Sequence, residues 1–239
     1  ETLSDGAVLS FGLESADPQV HVENWLNCDS KQLHSAIDLI NKYGKERGNR
    51  GLPKLLPGLN FIAGLRGETD ESYKYNQNLL ESLKNSGLWV RRINIRQVEG
   101  KGFQEVNEKP FKKFKQWVRE EIDTPLLQEM FPIGQRLNDL YWEAHDGRTR
   151  LPRHITNEIH QNPSIYGKPG LTMGRQIGAY PILMGVNYHI PLETSSDVIV
   201  TGHGSRSLTG IEIGLDPNEM TERQFRSIPG IGDKAAWKI

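Results

Sequence analysis

The feature that most constrains the fold is an alternation of short apolar runs with amphipathic helical segments, repeated three times in the first half of the chain. Apolar runs cover residues 7–13 and 59–65, and a third strand pattern, residues 89–98, alternates apolar and polar residues. Helical patterns follow the three across residues 29–44, 69–87 and 111–122. Strands separated by helices are joined by right-handed crossovers and lie parallel. The sequence therefore predicts an α/β unit of three parallel strands, either half a barrel or a small open sheet, because a full barrel takes about eight strands.

The pattern changes after about Pro132, where glycine and proline recur every few residues between short β-rich runs such as residues 179–186 and 196–202. This spacing predicts a small antiparallel barrel or sandwich. From Pro217 the helical pattern returns, with a break at residues 229–232. We therefore divide the chain into a partial (β/α) barrel (residues 1–127), an antiparallel β module (128–215) and the start of a short helical hairpin (216–239).

Composition narrows the functional classes. The 239 residues carry 29 Lys and Arg against 30 Asp and Glu, so any binding of nucleic acid must come from a local basic patch. No apolar run approaches the ~18 residues that span a bilayer, so we expect no membrane partner. Cys28 is the one cysteine, which excludes a disulfide within the chain and favours a reducing compartment, here the cytoplasm. The chain begins with Glu1 rather than Met and ends in an uncapped helical pattern, which predicts a fragment of a longer protein.

Polar residues and glycines stand where the first two strands end. Glu14 and Ser15 follow the first strand, and Ile62 and Gly64 lie at the end of the second. Ligands of parallel α/β folds bind at the carboxyl ends of strands, where a carboxylate can accept from an amino group or ribose hydroxyls and a glycine lets a flat ligand approach the backbone. The alternative is that these residues only turn the chain from strand into helix.

The third strand has one apolar and one polar face. Ile93 and Ile95 alternate with Arg92, Asn94 and Arg96. If the polar face points at a ligand, the arginines would bind a carboxylate or a phosphate, because the planar guanidinium fork suits such groups. The alternative is a solvated edge strand.

The ordered set formed by residues 12–15 (GLES), residues 60–69 (NFIAGLRGET) and the polar third strand resembles the second half of a radical S-adenosylmethionine (SAM) enzyme barrel, over roughly residues 1–127. The resemblance implies that Glu14 and Ser15 help hold the SAM ribose and methionine amino group. It implies that Ile62 and Gly64 lie near the adenine. It also makes Arg92, Asn94 and Arg96 candidates for contact with SAM or substrate.

The chain departs from that family in one decisive respect, because the CxxxCxxC loop that binds the [4Fe–4S] cluster is absent. One thiol cannot hold a cluster that normally takes three or four. The resemblance therefore implies that the cluster ligands lie upstream of Glu1. We interpret Cys28 as a packing residue, predict no metal site within this chain and assign no catalytic residue.

The C-terminal part carries two further resemblances. Residues 172–212 are similar to the small TRAM-type β-barrel, a tRNA-binding module that often follows the radical-SAM domain of methylthiotransferases, and Arg175 would belong to its basic surface. Residues 227–236 (SIPGIGDKAA) resemble the hairpin of a helix-hairpin-helix, in which Gly230 and Gly232 permit a tight turn. Lys234 would add charge where a helix N-terminus can receive a phosphate. The alternatives are a solvated surface arginine and an ordinary connection between helices.

Taken together, the resemblances imply an archaeal-type radical-SAM enzyme, similar to the methylthiotransferase group, that cleaves SAM reductively and abstracts hydrogen from a substrate. They make RNA a candidate substrate. Its cofactors would be SAM and a [4Fe–4S] cluster, and its partners an electron donor and tRNA or another nucleic acid. This chain alone would be inactive. The alternative function is that of a non-catalytic nucleic-acid-binding adaptor, with the α/β half as a scaffold.

Overall fold

The computed structural model describes residues 5–142, 172–176, 180–204 and 206–232. The chain divides into two compact units. The first comprises Glu1–Gly48 and Pro53–Met130, and the second comprises Asn49–Leu52 and Phe131–Ile239. The first unit ends at Met130, close to residue 128, where the sequence predicts the start of the β module.

The first unit alternates strands and helices. Its strands are β1 (Ala7–Glu14), β2 (Leu55–Ala63) and β3 (Arg92–Gln97). Its helices are α1 (Pro18–Asn24), α2 (Ser30–Gly44), α3 (Asp70–Asn85), α4 (Glu108–Trp117) and α5 (Thr124–Met130), with a π-helical segment, Val118–Asp123, between the last two.

The three strands form one sheet in the order β1-β2-β3, and both pairings are parallel. The predicted parallel α/β unit is therefore confirmed. Because all three strands run the same way, Glu14, Ala63 and Gln97 end at the same edge of the sheet.

Helices cover one face of this sheet. Leu59, Phe61 and Ile93 on that face are at most 3% exposed. The Phe61 ring meets Phe114 of α4 edge to face, with 5.9 Å between centroids, and Phe114 lies 5.5 Å from the ring of Tyr73 in α3. Each such aromatic pair stabilises the fold by about 0.5–1.5 kcal/mol beyond the area that it buries.

The opposite face of the sheet is polar and more exposed, and we call it the open face. It is defined by alternate residues of the three strands: Val8, Ser10, Gly12, Gly58, Asn60, Ile62, Arg92, Asn94 and Arg96. Four of these side chains form register pairs across β2 and β3, with Asn60 opposite Asn94 and Ile62 opposite Arg96.

The predicted helix starts hold where a cap is visible in the sequence. Asp29 caps α2, since its Oδ1 accepts from the backbone N–H groups of Lys31 and Gln32, both at 2.8 Å. Gln32 closes the capping box by accepting from the Asp29 N–H. Gly87 follows α3 at a φ of +66°, the left-handed conformation in which glycine commonly ends a helix.

Some boundaries differ from the predictions. Strand β2 begins at Leu55 rather than Leu59, because Pro57 lies inside the strand with its carbonyl accepting from the Arg91 N–H at 3.0 Å. Helix α1 was not predicted. The single helix expected across residues 111–122 is a longer run interrupted by a π-helical segment.

The second unit contains a closed five-stranded barrel. Its strands are β4 (Arg136–Trp142), β5 (Thr172–Gln176), β6 (Leu183–Val186), β7 (Ser195–His203) and β8 (Ser207–Glu212). They pair in the order β4-β5-β6-β8-β7, and β7 closes on β4. The expectation of an entirely antiparallel module is wrong in one pairing, because β6 and β8 run parallel. The barrel interior is filled by fully buried side chains that include Leu137, Trp142, Met184, Val200 and Leu208.

The segment Asn49–Leu52 belongs to the second unit, although its chain neighbours on both sides belong to the first. The Arg50 carbonyl accepts from the Asn138 N–H at 3.1 Å and from Gln176 Nε2 at 2.7 Å. Leu52 is 1% exposed. These contacts make Asn49–Leu52 an ordered part of the barrel unit.

The end of the described chain holds one short helix, α6 (Glu222–Arg226), capped by Thr221. A turn follows, with Gly230 at a φ of +90°. Residues 216–232 do not show the expected helical hairpin, and the second helix of that motif would fall on residues outside the described ones. None of the described helices is both long enough and apolar enough to cross a bilayer.

Candidate functional site

Glu14 ends β1 in an unusual backbone conformation. Its φ is +64°, in the left-handed region that a non-glycine residue seldom occupies, and the β1–β2 register shifts between Phe11 and Glu14. The side chain folds back over Gly12, since a Cβ built on that glycine would lie 2.7 Å from Glu14 Oε1. The bulge and the glycine together place this carboxylate at the edge of the open face.

The Glu14 carboxylate lacks a full set of hydrogen-bond donors. Its Oε2 is buried, and no described atom donates to it. Burial raises the pKa of Glu14, while the nearby Arg96 guanidinium lowers it by a smaller amount. A buried carboxylate oxygen without a donor is costly, so a ligand N–H or O–H group would be favourable at this position.

Ser15 has a different environment from Glu14. It is 2% exposed, and its Oγ accepts from the Asp17 N–H at 3.2 Å. Its carbonyl accepts from the ring of His21, and the next residue, Ala16, donates its N–H to Asn76 Oδ1 at 2.7 Å. Ser15 therefore holds the shape of the loop after β1.

Asp17 ties this loop to two helices. Its Oδ1 accepts from the Gln19 N–H at 2.9 Å and caps α1, and its Oδ2 accepts from Ser72 Oγ of α3 at 2.5 Å. Beside the loop opens a cleft of about 370 Å³. Its described lining is Ala16, Pro18, His21, Asp29, Ser30 and Lys31. The volume falls at the lower end of the range for small-molecule sites, about 300–1,000 Å³.

Ile62 and Gly64 lie at the same edge of the sheet. Ile62 is half-buried on the open face and pairs with Arg96. Gly64 is buried at a φ of +92°, and a Cβ there would lie 2.8 Å from the Val98 carbonyl oxygen. Its own carbonyl accepts from the Gln104 N–H at 2.8 Å. Glycine at position 64 is thus required for the loops after β2 and β3 to pack together.

Glu68 is a site residue that sequence reasoning did not select. Its Oε2 accepts from the Gly64 N–H at 3.2 Å, and its Oε1 accepts from the Tyr73 hydroxyl at 2.8 Å. Burial raises the pKa of Glu68, and the two hydrogen bonds partly offset that rise. The signal in the sequence was a carboxylate four residues after the glycine that follows β2, a spacing at which the carboxylate can accept from the glycine N–H.

Arg92, Asn94 and Arg96 all lie on the open face, because Ile93 between them is buried against the helices. The Arg92 Nε–H group donates to Asn94 Oδ1 at 3.1 Å, and Asn94 Nδ2 donates to Asn60 Oδ1 at 2.9 Å. The side chains of Arg92, Asn94 and Asn60 therefore form one chain of hydrogen bonds. Arg96 lies close enough to Glu14 to lower its pKa. Asn60 was missed because it stands alone between apolar residues in the sequence.

The predicted nucleic-acid residues lie in the second unit. Arg175 is half-buried in β5, where it pairs with Tyr141 of β4 and Leu183 of β6. Gly230 and Gly232 are exposed, and only Gly230 has a positive φ. Lys234 lies outside the described residues.

Within the ranges that the structure covers, no group of three His, Cys, Asp or Glu side chains could hold a metal ion. Cys28 is a half-buried free thiol. Burial, with a smaller contribution from the neighbouring Asp29, raises the pKa of this thiol. Such an environment disfavours the thiolate that would be the nucleophile or metal ligand.

Comparisons with known proteins find relatives in two archaea. No family model matches the chain. An uncharacterized protein of Archaeoglobus fulgidus is 37% identical over 235 residues, which cover 94% of this chain and 40% of that protein. An uncharacterized protein of Methanocaldococcus jannaschii is 34% identical over 218 residues, which cover 87% of this chain and 36% of that protein. The chain thus spans less than half the length of these curated relatives.

Proposed function

We propose that this chain is a fragment of a radical-SAM enzyme, whose first unit supplies half of the SAM site. The observation that carries the proposal is the Glu14 carboxylate, which has a buried oxygen without a described donor at the carboxyl edge of a parallel sheet. In such sheets the carboxyl edge is where ligands bind. On this proposal the three strands are consecutive strands of a (β/α) barrel, and the open face lines the barrel interior.

The residues at this edge fit SAM chemically. Glu14 would accept from the methionine ammonium or the ribose hydroxyls, and its vacant acceptor oxygen suits a ligand donor. Arg96 is close enough to Glu14 to lower its pKa. Its guanidinium would bind the carboxylate of the methionine part of SAM. Ile62 offers an apolar contact on the same face, whereas the buried Gly64 would shape this edge by letting the loops after β2 and β3 pack together. Ser15 and Asp17 would keep the loop after β1 in shape rather than touch the ligand.

Bound SAM, once cleaved reductively, would supply a radical that removes a hydrogen atom from a substrate. The cluster that delivers the electron does not fit this chain, because Cys28 is a single thiol and at least three are needed. The proposal therefore assigns the cluster, and the docking of its electron donor, to another part of a longer protein. The relatives, of which this chain spans 40% and 36%, have length for such a part.

The test is SAM binding to this chain, measured by isothermal titration calorimetry. We expect Glu14→Gln to weaken binding at least about tenfold, the effect of removing one charged hydrogen-bond partner. Glu81→Gln is the matched control, because Glu81 is an exposed residue of α3 that loses the same charge. Equal binding by the two variants would contradict the role of Glu14.

A second experiment concerns activity. In the longer protein with a reconstituted cluster and a reductant, under anaerobic conditions, we expect formation of deoxyadenosine from SAM. Absence of deoxyadenosine from a cluster-loaded protein would overturn the enzyme assignment.

A second candidate function, a nucleic-acid-binding module, is favoured by the strand order of the barrel. Counted within the unit, the order is 1-2-3-5-4 closing on 1, with strands 3 and 5 parallel. A five-stranded barrel is also the architecture of the oligonucleotide/oligosaccharide-binding fold, which binds its ligands on the face formed by strands 2 and 3. Arg175, on the second strand, would then contact RNA, with Gly230, Gly232 and Lys234 as a separate phosphate contact.

The nucleic-acid-binding function is tested by measuring the binding of a single-stranded oligoribonucleotide to the whole chain. We expect salt-dependent binding that Arg175→Gln weakens and Arg119→Gln leaves unchanged, since Arg119 is an exposed arginine of the first unit. RNA binding combined with no SAM binding would favour the adaptor over the enzyme.

A further inference from the structure

We propose that the cleft beside the loop after β1 binds a small, flat, uncharged heterocycle that carries an amino group, the chemistry of the nucleobases adenine and cytosine. The proposed function assigns nothing to this cleft. Its volume is about 370 Å³, and its described lining is Ala16, Pro18, His21, Asp29, Ser30 and Lys31.

Hydrogen bonds hold the lining of the cleft in place. The His21 ring bonds to the Ser15 carbonyl, and the Ala16 N–H donates to Asn76 Oδ1 at 2.7 Å. The rest of the lining is the start of α2, which Asp29 caps through its Oδ1. A cleft that is already formed loses little conformational entropy when a ligand enters it.

The surface and size of the cleft favour a ring. Ala16 and Pro18 contribute carbon atoms, His21 contributes a planar ring, and most of the accessible lining is apolar. A volume near the lower end of the range for small-molecule sites holds one ring system rather than an extended chain. A flat ligand of nucleobase size therefore suits this cleft.

The charges of the lining balance each other. Asp29 and Lys31 carry opposite charges, and both residues are exposed. The His21 Nε2 atom lies against a carbonyl oxygen, which can only accept, so the neutral ring carries its hydrogen on Nε2 and has an acceptor at Nδ1. Such a lining favours an uncharged ligand over a phosphate or a carboxylate.

Two neighbouring residues of the lining offer the polar groups that an amino heterocycle needs. Asp29 caps α2 with Oδ1 alone, and across the described ranges no hydrogen bond reaches its Oδ2. The hydroxyl of Ser30, the next residue, can donate or accept. A carboxylate oxygen beside a hydroxyl matches an amino group beside a ring nitrogen, the edge that adenine presents through N6 and N7.

Adenosine binding to the whole chain, followed by ¹H–¹⁵N NMR, tests the proposal. We expect the amide signals of His21, Ser30 and Lys31 to shift, with a Kd of about 1 mM or tighter. Purine riboside has the same ring and ribose without the amino group, and it should bind about threefold to tenfold more weakly. Equal binding of the two nucleosides, or no shifts at these amides at several millimolar adenosine, would overturn the proposal.

Asp29→Asn tests the contact with the amino group. Asparagine caps a helix as well as aspartate does, but it has a donor in place of the second acceptor oxygen. Asp38→Asn is the matched control, because Asp38 is an exposed residue of α2 that loses the same charge. We expect Asp29→Asn to weaken adenosine binding about threefold to tenfold and to leave purine riboside within about twofold, whereas Asp38→Asn changes neither. Equal effects of the two variants on adenosine would contradict the contact and overturn the proposal.

Competition with SAM identifies the source of the base. SAM that displaces adenosine, with an affinity that Asp29→Asn weakens, supports a cleft that receives the adenine of SAM itself. Adenosine that stays bound at saturating SAM supports a cleft for the base of a second molecule. Displacement by SAM that is unaffected by Asp29→Asn would place the nucleoside outside the cleft and overturn the proposal.

Glu14→Gln separates this inference from the proposed function. We expect that variant to lose SAM affinity and to keep adenosine binding, because Glu14 is not part of the lining of the cleft. Adenosine binding that depends on Asp29 in a chain that never binds SAM would retain the cleft site and remove the SAM proposal. Loss of adenosine binding in Glu14→Gln, with Asp29→Asn unaffected, would overturn the cleft site.

Discussion

The Arg96 guanidinium lies close enough to the Glu14 carboxylate to lower its pKa, yet burial raises that pKa by more. The attraction of the Arg96 charge therefore does not offset the desolvation of Glu14. Burial of a charge is costly unless it is paired and fully hydrogen-bonded, and one Glu14 oxygen has no described donor. A carboxylate kept under these conditions is typical of a site whose remaining partner is a ligand.

Replacement of Glu14 by glutamine should stabilise the chain at neutral pH. Because the folded-state pKa lies above the unfolded one, the folded state binds more protons, and stability falls as pH rises through the two values. The cost is complete above the folded pKa and absent below about pH 4, near the unfolded value. Urea unfolding should show Glu14→Gln gaining up to about 1 kcal/mol at pH 7 relative to pH 3.5, with the gain limited by solvent screening.

The matched control is Glu81→Gln, an exposed position on α3 that should show no such pH-dependent gain. A Glu14→Gln variant that is less stable than the native chain at pH 7 would show that Arg96 outweighs burial. In the expected case, the same substitution stabilises the fold and weakens the proposed SAM binding, which is the usual conflict between stability and function at a binding site.

Gly12→Ala should weaken SAM binding with little loss of stability. The new Cβ would lie 2.7 Å from Glu14 Oε1, so the carboxylate must move, but it is the end of a flexible side chain and can do so at low cost. We expect a several-fold weaker Kd by calorimetry and a change in unfolding free energy below about 1 kcal/mol. In a Glu14→Gln background Gly12→Ala should add nothing; an equal effect in both backgrounds would show that Gly12 acts independently of Glu14.

Local sequence signals predicted much of the first unit. β1 and β2 are largely apolar runs, β3 alternates apolar and polar residues, and α2 carries its start signal in Asp29 and Gln32. Local signals gave the wrong boundary where a turn signal lies inside a strand of the fold. The Pro57-Gly58 pair indicates a turn, but the strand continues through it because the parallel neighbours supply the pairing on both sides. The start of α1 was readable in Asp17-Pro18, a cap followed by proline in the first turn, which is a common opening of a helix.

The candidate site was only partly visible in the sequence. The alternation in β3 predicted that Arg92, Asn94 and Arg96 share a face, but the choice of face needed the burial of Ile93 against the helices. Asn60 joins them only through strand register. Glu68 and Tyr73 meet through the turn from β2 into α3, and the fold of Glu14 over Gly12 depends on a bulge. Contacts of this kind arise from tertiary packing, which residue spacing does not encode.

Tyr73→Phe should raise the pKa of Glu68 further. The Tyr73 hydroxyl donates to Glu68 Oε1 at 2.8 Å and lowers the pKa of that carboxyl, so its removal leaves burial less opposed. We expect a destabilisation of about 1–2 kcal/mol from the lost donor. Titration of the Glu68 carboxyl by ¹³C NMR and urea unfolding measure the two effects. Tyr75→Phe, at a 47% exposed position of the same helix, is the control and should leave both unchanged; an unshifted Glu68 in Tyr73→Phe would contradict the hydrogen bond.

Gly64→Ala should destabilise the first unit by more than the conformational cost of a positive φ alone. Gly64 and Gly87 both occupy the left-handed region, at φ +92° and +66°. An alanine Cβ at position 64 would lie 2.8 Å from the Val98 carbonyl oxygen and 3.1 Å from that of Gln104, whereas nothing lies within 4 Å of one at position 87.

Because the backbone strain is shared by the two positions, the pair of variants isolates the steric part. We expect Gly87→Ala to lose about 1 kcal/mol, the ordinary cost of left-handed backbone for an L-residue, and Gly64→Ala to lose about 2–4 kcal/mol. Urea unfolding of both variants gives the comparison. Gly64→Ala should also weaken SAM binding, since the loops after β2 and β3 must separate to admit the methyl group. Equal destabilisation by the two substitutions would show that these loops yield freely and do not fix the carboxyl edge of the sheet.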